Sequence, residues 1–240
     1  MLTRSTPEEI AHQINNSAAK AVFVSPSHVE ALQKALPRLK SAIPDSRIVL
    51  LAEKGTNVAG LKNIYDIAGA AAVAERFEHE PNATAVLFYS SGTTGLPKGV
   101  MTTHYNLTTQ MQCGRMAFEP LYHGRDKVLC FLPMSHIYGC MTALIMPIAW
   151  GVQAVIMPKY EEITVLSAIE KYKITVGLLV PPVLLAWMNS VNVPKYDLTS
   201  LRAVMCGAAP LSGDLVKEVY RRFTFTLFES YGECRSSVRC

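Results

Sequence analysis

Short, continuous apolar runs recur along this chain and are separated by segments with apolar residues at helical spacing. The most distinct runs are Ala83–Phe88, Val128–Leu132, Val176–Val180 and Leu201–Met205. Continuous runs of this length are typical of parallel strands that are covered by helices on both faces. Between them, Ile163–Tyr172 and Asp214–Arg222 are predicted to be helices. The pattern therefore predicts the α/β class, with a mainly parallel sheet flanked by helices.

The first 80 residues follow the same alternation. Thr6-Pro7-Glu8-Glu9 predicts a capped helix that runs to about Ser17, with proline in its first turn. A second helix is predicted from Ser25 to Leu39 and a third over Ile64–Arg76. Since no interdomain linker or repeat interrupts the pattern, we expect one domain over residues 1–240.

Two uncharged stretches, Ile137–Pro158 and Ile174–Pro194, are long enough to cross a bilayer. The first contains Trp150-Gly151 before a β-like run, and the second contains Pro181-Pro182 after one. Each is therefore better interpreted as a buried helix and a buried strand that meet at a turn. We expect no transmembrane segment.

Composition narrows the function classes. Half of the 240 residues are apolar and 18% are charged, so a large core is expected. The net charge is +4, and the basic residues form no long run. This distribution gives no indication of a nucleic-acid partner. The six cysteines form no CxxC pair, which favours reduced thiols and a cytoplasmic location over disulfides or zinc. Nothing in the composition indicates an oligomeric state.

The segment Tyr89–Val100, YSSGTTGLPKGV, is the strongest candidate for chemistry. It follows an apolar run that we predict to be a buried strand, and it places four hydroxyl groups around two glycines before Pro97 and Lys98. Glycines allow the backbone N–H groups to approach an anion closely, and the lysine adds a mobile positive charge. The sequence therefore predicts a phosphate-binding loop.

Two alternatives to this interpretation are weaker. A Walker A loop requires glycine where Pro97 stands and serine or threonine where Gly99 stands, which argues against a P-loop kinase or NTPase. A solvated surface turn needs about one glycine and one polar residue, far fewer than this loop contains.

Two further segments follow predicted strands. Leu132–Gly139, LPMSHIYG, brings His136 and Tyr138 to a strand end, and Gly207–Leu211, GAAPL, brings small residues and free amides to another. In parallel sheets ligands bind beyond the carboxyl ends of the strands. The alternatives remain open from the residues alone: His136 as a helix cap, Tyr138 as core, and GAAPL as a tight turn.

These three segments together resemble the AMP-forming adenylate synthetases, the superfamily of acyl-CoA synthetases, 4-coumarate–CoA ligases and luciferases. SSGTTGLPKGV is similar to their phosphate loop, LPMSHIYG to a histidine-aromatic segment of the acyl pocket, and GAAPL to a segment that contacts adenine and acyl group. The stretches TPEEIAHQI and KYDLTSLRAVMCGAAPL also resemble the family, so the similarity covers nearly the whole chain.

The resemblance implies ATP, Mg²⁺ and CoA as cofactors or substrates, and a carboxylic acid, aryl or medium-chain acyl, as the group activated. It implies His136 and Tyr138 at the acid, with Lys98 and His136 as candidate catalytic residues. It assigns nucleotide and CoA binding to Ser90, Ser91, Gly92, Thr93, Thr94, Gly95, Lys98, Lys159, Gly207, Ala208, Ala209, Pro210, Tyr231 and Gly232.

The resemblance fails at one motif. Where the family has Tyr-Gly-x-Thr-Glu, with the glutamate holding Mg²⁺, this chain has Cys234 and Arg235 after Tyr231-Gly232-Glu233. The family also continues into a ribose-binding segment and a lid domain with a catalytic lysine. We therefore expect a partial adenylation domain, truncated at both ends, with the peroxisome as an alternative location for the intact parent. The alternative function is a nucleotide-binding remnant without ligase activity.

Overall fold

The computed structural model describes residues 5–68, 78, 80–90, 96–117 and 124–232. The chain divides into two compact units, Met1–Met101 and Thr102–Cys240. Each unit contains its own cluster of buried apolar side chains.

The first unit begins with helix α1, Pro7–Ser17. The Thr6 side chain accepts a hydrogen bond from the Glu9 backbone N–H, and the Glu9 carboxylate accepts one from the Thr6 N–H. This capping box satisfies two N–H groups that would otherwise lack a partner. Ile10, Ala11 and Ile14 are the buried face of the helix. The helix predicted from the sequence is confirmed.

The second predicted helix, Ser25 to Leu39, is divided into three segments. A 3-10 turn at Pro26–His28 precedes helix α2, Val29–Ala35, and a second 3-10 turn spans Leu36–Arg38. Pro37 has no N–H to donate to the Gln33 carbonyl, which explains why the α-helical hydrogen bonds do not continue to Leu39. A single helix was the wrong prediction here.

Three short parallel strands complete this part of the unit: β1 (Val22–Val24), β2 (Ile48–Leu50) and β3 (Lys62–Asn63), in that order. Helix α3, Ile64–Ile67, follows, and residues 69–76 of the longer predicted helix lie outside the described residues. Phe23 in β1 is 59% exposed. The expectation that every strand is covered on both faces is therefore wrong for β1.

Strands β4 (Thr84–Ser90) and β5 (Lys98–Thr103) form a two-stranded sheet. Both strands were predicted, but β4 is less buried than expected, with Phe88 as its one buried residue. The sequence predicts a short strand over Val100–Thr103, and β5 begins two residues earlier, at Lys98. Lys98 is therefore the first residue of a strand and not part of an open loop.

The second unit is built on a five-stranded sheet with the order β10-β9-β8-β6-β7. Every neighbouring pair is parallel. The strands are β6 (Lys127–Cys130), β7 (Gln153–Ile156), β8 (Val176–Leu179), β9 (Ala203–Cys206) and β10 (Thr226–Glu229). All residues of β8 and β9 are buried, as the continuous apolar runs predict. The α/β class with a parallel sheet is confirmed.

One helix precedes the strands of this sheet and the other helices connect them. The helices are α4 (His104–Ala117), α5 (Ile137–Cys140), α6 (Met146–Trp150), α7 (Glu162–Tyr172), α8 (Pro181–Asn189) and α9 (Gly213–Arg222), with a π-helical turn at Met141–Ile145 between α5 and α6. Trp187 of α8 is fully buried in the larger core cluster. In the part of the chain that the structure describes, no helix is long and apolar enough to span a bilayer.

A buried polar network joins the amino ends of the three central strands. Asp126, Thr175 and Arg202 immediately precede β6, β8 and β9. The guanidinium of Arg202 donates to both carboxylate oxygens of Asp126, with Nε 3.0 Å from Oδ1. The Thr175 hydroxyl donates to the same Oδ1 at 2.6 Å. Asp126 is 5% exposed, so these partners replace the water that its charge has lost.

Candidate functional site

The carboxyl ends of β6, β8, β9 and β10 carry most of the predicted site residues of the second unit. Leu132–Gly139 follows β6, Gly207 follows β9, and Ser230 and Tyr231 follow β10. Because all these strands are parallel and adjacent, the segments emerge at one edge of the sheet. The placement that the sequence predicted for these segments is confirmed.

His136 is the N-cap of α5, and its side chain is exposed. The ring Nδ1 accepts a hydrogen bond from the Tyr138 backbone N–H at 3.1 Å. The backbone N–H of His136 donates to the Pro133 carbonyl oxygen at 3.0 Å. The capping role that the sequence left as an alternative is therefore present. Since Nδ1 is the acceptor, the neutral ring carries its proton on Nε2. The Nε2–H can therefore donate a hydrogen bond to another group.

Tyr138 links α5 to two strands of the sheet. Its hydroxyl lies 3.2 Å from the Leu179 carbonyl oxygen and 3.0 Å from the Met205 carbonyl oxygen. These carbonyls are at the carboxyl ends of β8 and β9. The hydroxyl therefore hydrogen-bonds to the backbone. The ring is the part of the side chain that can contact a bound molecule.

Gly207 lies against both Tyr138 and β10. A Cβ at this position would come within 2.5 Å of the Ser230 Oγ and 3.5 Å of the Tyr138 Cζ. Ala208 follows with φ 73°, a left-handed conformation that is strained for a residue with a side chain. Ala208, Ala209 and Pro210 are exposed. The structure therefore brings the GAAPL segment and Tyr138 together around an exposed turn.

The other predicted site residues of this unit either lie away from the GAAPL segment or are exposed to solvent. Lys159 is exposed and follows β7, the outermost strand on one side of the sheet. Three strand spacings separate β7 from β9. At about 4.8 Å per spacing, this corresponds to roughly 14 Å between the two strands. Tyr231 is 93% exposed, and Gly232 is exposed beside it. Lys159 is thus not adjacent to the segment that follows β9.

The predicted phosphate-binding residues belong to the first unit. Ser90 ends β4 and is half-buried, whereas Lys98 begins β5 with an exposed side chain. An exposed ammonium at the first residue of a strand is available to an anion in solvent. The remaining loop residues lie outside the described residues: Ser91, Gly92, Thr93, Thr94 and Gly95.

Cys206, the residue before GAAPL, is buried, and its thiol is unreactive. Burial, together with the Glu229 carboxylate, raises the pKa of its thiol to about 11. The thiol is therefore protonated at neutral pH and is a poor nucleophile. Of the residues described, none form a group of three or more His, Cys, Asp and Glu side chains able to hold a metal ion.

Sequence reasoning missed two parts of this arrangement. Ser230 contacts the position of Gly207, and its backbone N–H donates to the Cys206 carbonyl at 2.9 Å. The network of Asp126, Thr175 and Arg202 was not predicted either. Its members are polar residues at the starts of three apolar runs: Asp126 lies two residues before Val128, Thr175 directly before Val176, and Arg202 within Leu201–Met205.

The comparisons with known proteins identify the family. The family model for AMP-binding enzyme matches residues 1–234. The chain belongs to this family, as the three motifs indicated.

Similar curated proteins are CoA ligases. 4-Coumarate–CoA ligase 2 of Nicotiana tabacum is 36% identical over 235 residues, which are 95% of this chain and 41% of the relative. 4-Coumarate–CoA ligase 1 of Petroselinum crispum is 46% identical over 147 residues, 60% of this chain and 27% of the relative. The chain therefore spans less than half the length of these relatives.

Solved structures agree on the fold. The anthranilate CoA ligase AuaEII in complex with anthranoyl-AMP matches with a TM-score of 0.88 at 21% identity, over 99% of this chain and 45% of that chain. The O-succinylbenzoate coenzyme A synthetase of Bacillus subtilis, in complex with ATP and magnesium ion, matches with a TM-score of 0.76 at 22% identity, over 99% of this chain and 44% of that chain. Both matches therefore show a shared fold over nearly the whole of this chain.

Proposed function

We propose that the intact protein activates a carboxylic acid with ATP and then transfers the acyl group to CoA. Residues 1–240 belong, in this proposal, to the AMP-binding domain of such an enzyme. The observation that carries it is the exposed Lys98, at the head of the strand that follows the glycine-rich segment, in a chain of the AMP-binding enzyme family.

The first step joins the acid to AMP. A carboxylate oxygen attacks the α-phosphorus of ATP, and the bond to pyrophosphate breaks, leaving an acyl adenylate. Negative charge on the phosphate oxygens is stabilised by donors already in position, and we assign this role to Lys98 and the glycine-rich segment. In the second step the CoA thiolate attacks the acyl carbonyl and AMP leaves.

The segments at the carboxyl ends of the five-stranded sheet would bind the other parts of the substrates. We assign the acid to His136 and the ring of Tyr138, and the adenine and acyl flank to Gly207–Pro210 and Tyr231-Gly232. Similarity to 4-coumarate–CoA ligases supports an aryl acid, with medium-chain acyl acids as the alternative.

Three further parts of the proposal concern the CoA phosphates, the metal and the location, and the first two follow from the family resemblance. The exposed Lys159 is assigned to the CoA phosphates. Mg²⁺ would arrive with the ATP phosphates and neutralise part of their charge, because the described residues contain no ready metal cluster. The free thiols of Cys113, Cys130, Cys140 and Cys206 support a cytoplasmic location.

Arg235 favours a second candidate function, ATP binding without acid activation, because a cation at that position repels a metal. Incubating the intact protein with ATP, Mg²⁺, CoA and a panel of aryl and medium-chain acids separates the two candidates. Acid-dependent release of pyrophosphate supports the ligase. ATP binding without pyrophosphate release supports the second candidate.

Lys98→Ala is expected to weaken ATP binding about tenfold or more, since a hydrogen bond to a charged group contributes about 1.5–3 kcal/mol. Isothermal titration of ATP into wild type and variant measures the change. Lys20→Ala is the matched control: it removes another exposed lysine of the same unit and should leave the affinity unchanged. Equal ATP affinity in wild type and Lys98→Ala would contradict the proposal.

His136→Ala is expected to weaken acid binding several-fold and leave ATP affinity within about twofold. Because His136 also caps α5, this variant should lose about 1 kcal/mol of stability. His136→Asn retains a good cap acceptor but not the imidazole, so it should keep the stability and still bind the acid weakly. If His136→Asn binds acids as wild type does, the residue has a capping role only.

A further inference from the structure

Helix α1 contacts the residues on both sides of the glycine-rich segment. The ring Nε2 of His12 lies 2.9 Å from the Pro97 carbonyl oxygen, across 85 residues of sequence. The Tyr89 hydroxyl donates to the Asn16 Oδ1 at 2.9 Å and lies 3.2 Å from the Gln13 carbonyl oxygen. Tyr89 precedes Ser90–Gly95, the part of the segment rich in hydroxyl groups and glycine, and Pro97 follows that part, so one helix contacts the chain on both sides of it. All these contacts lie within the first unit.

The bond from His12 has a fixed direction. A carbonyl oxygen can only accept, so Nε2 must carry the proton and donate. The neutral ring with its proton on Nε2 and the charged ring both satisfy this requirement. The contact therefore does not depend on the charge of His12.

The Pro97 carbonyl belongs to the same planar peptide unit as the Lys98 N–H. Proline also has a fixed φ and no N–H of its own, so its carbonyl is the one backbone group through which a hydrogen bond can hold it. A donor on that oxygen therefore sets the orientation of the peptide from which Lys98 extends.

Gly99 fixes the other side of Lys98. A Cβ at residue 99 would lie 3.1 Å from the Tyr89 Cζ and 3.3 Å from the Asn16 Oδ1, so its backbone packs directly onto β4 and α1. Burial raises the pKa of the Tyr89 hydroxyl, which keeps its proton available for Asn16. Lys98 is thus held by its neighbours on both sides while its own side chain is exposed.

We propose that His12 is a positioning residue for Lys98. It holds the Pro97–Lys98 peptide against α1, so that the lysine ammonium is directed to its anion before the anion arrives. This role rests on the proposed function, in which Lys98 binds the ATP phosphates. It goes beyond it, because neither the motifs nor the resemblance assigned any role to His12.

The test compares three variants of the whole chain. His12→Ala removes the donor, and His12→Gln replaces it with an amide N–H₂ at a similar reach. Asn15→Ala is the control, because Asn15 also lies on α1 but bonds the Arg38 carbonyl oxygen and the Lys40 N–H instead of Pro97. ATP affinity by titration, hydrogen–deuterium exchange of residues 98–100 without nucleotide, and thermal unfolding are measured for each.

His12→Ala should bind ATP about three- to tenfold more weakly, the range that one hydrogen bond represents. Its exchange at residues 98–100 should be faster by a similar factor. His12→Gln should recover much of both losses. Asn15→Ala should lower the unfolding temperature and leave ATP affinity and exchange at 98–100 unchanged.

The outcomes separate this proposal from the proposed function. If wild type binds ATP, and His12→Ala binds it equally well or Asn15→Ala weakens it as much, the positioning role is overturned. If wild type does not bind ATP, the proposed function fails. Exchange at residues 98–100 then decides for His12: faster exchange in His12→Ala alone supports its hold on the peptide, and unchanged exchange overturns it.

Discussion

Asp126→Ala should destabilise the second unit by about 3 kcal/mol or more. Removing one partner of a buried ion pair costs about 3–5 kcal/mol, because the other charge loses its compensation. Arg202 is 34% exposed and can recover some hydration, which favours the lower end of that range. The Thr175 hydroxyl loses its acceptor as well. Urea unfolding followed by circular dichroism measures the change.

A matched control is Glu218→Ala, which removes the exposed ion pair with Arg221 on α9. Exposed pairs contribute about 0–1 kcal/mol, so this variant should unfold almost as wild type does. The double variant Asp126→Ala with Arg202→Leu should lose less than the sum of the single losses, because the two residues act as a pair. Equal unfolding midpoints for Asp126→Ala and Glu218→Ala would contradict a structural role for the network.

Gly139→Ala should cost about 1–3 kcal/mol through overpacking and should also disturb the acid-binding segment. A Cβ at this position would lie 2.6 Å from the Pro133 carbonyl oxygen and 3.1 Å from the Leu132 carbonyl oxygen. Both contacts are with backbone, so the strand-to-helix segment must move away from α5. Since the His136 N–H donates to the same Pro133 carbonyl, the cap would shift too. Thermal unfolding together with acid titration detects both effects.

Gly213→Ala gives the comparison at a helical glycine with free space, because no atom lies within 4 Å of a Cβ there. This variant should be neutral or more stable by up to about 1 kcal/mol, since alanine restricts the unfolded chain. A Gly139→Ala protein as stable as wild type, with unchanged acid affinity, would show that the segment tolerates displacement.

Periodicity in the sequence predicted much of the fold because the signals are local. Thr6 and Glu9 form the predicted capping box, and the buried runs of β8 and β9 are strands of a parallel sheet. His136 and Gly207 were predicted at the carboxyl ends of strands because each follows a predicted strand in the sequence. These predictions needed only the spacing of apolar residues and the turn chemistry between them.

The predictions that failed depended on contacts distant in sequence. The exposure of Phe23 depends on what covers β1, and a strand pattern cannot show that. The Tyr138 hydroxyl meets carbonyls 41 and 67 residues away, and Arg202 pairs with a carboxylate 76 residues away. The shorter α2 has a local cause instead, because Pro37 has no N–H with which to continue the α-helical hydrogen bonds.

The two ends of the five-stranded sheet differ in chemistry, and this difference indicates where a ligand should bind. At the amino ends Asp126, Thr175 and Arg202 satisfy one another, so these side chains hold the strands together. At the carboxyl ends His136 is exposed, and Ala208 is held in a strained turn. Strain and exposure at one end, with closed pairing at the other, place the proposed substrate contacts at the carboxyl ends.

The most direct test of the proposed nucleotide and acid contacts of the two units is hydrogen–deuterium exchange of the wild-type chain with and without ATP and a candidate aryl acid. The proposal predicts slower exchange with ligand at residues 96–99, 132–138 and 207–210. It predicts no change at residues 125–127, 173–176 and 200–202, at the opposite ends of the strands. Slower exchange at those amino-end segments alone, or at no segment, would contradict the assignment of the carboxyl ends and Lys98 to ATP-dependent acid activation.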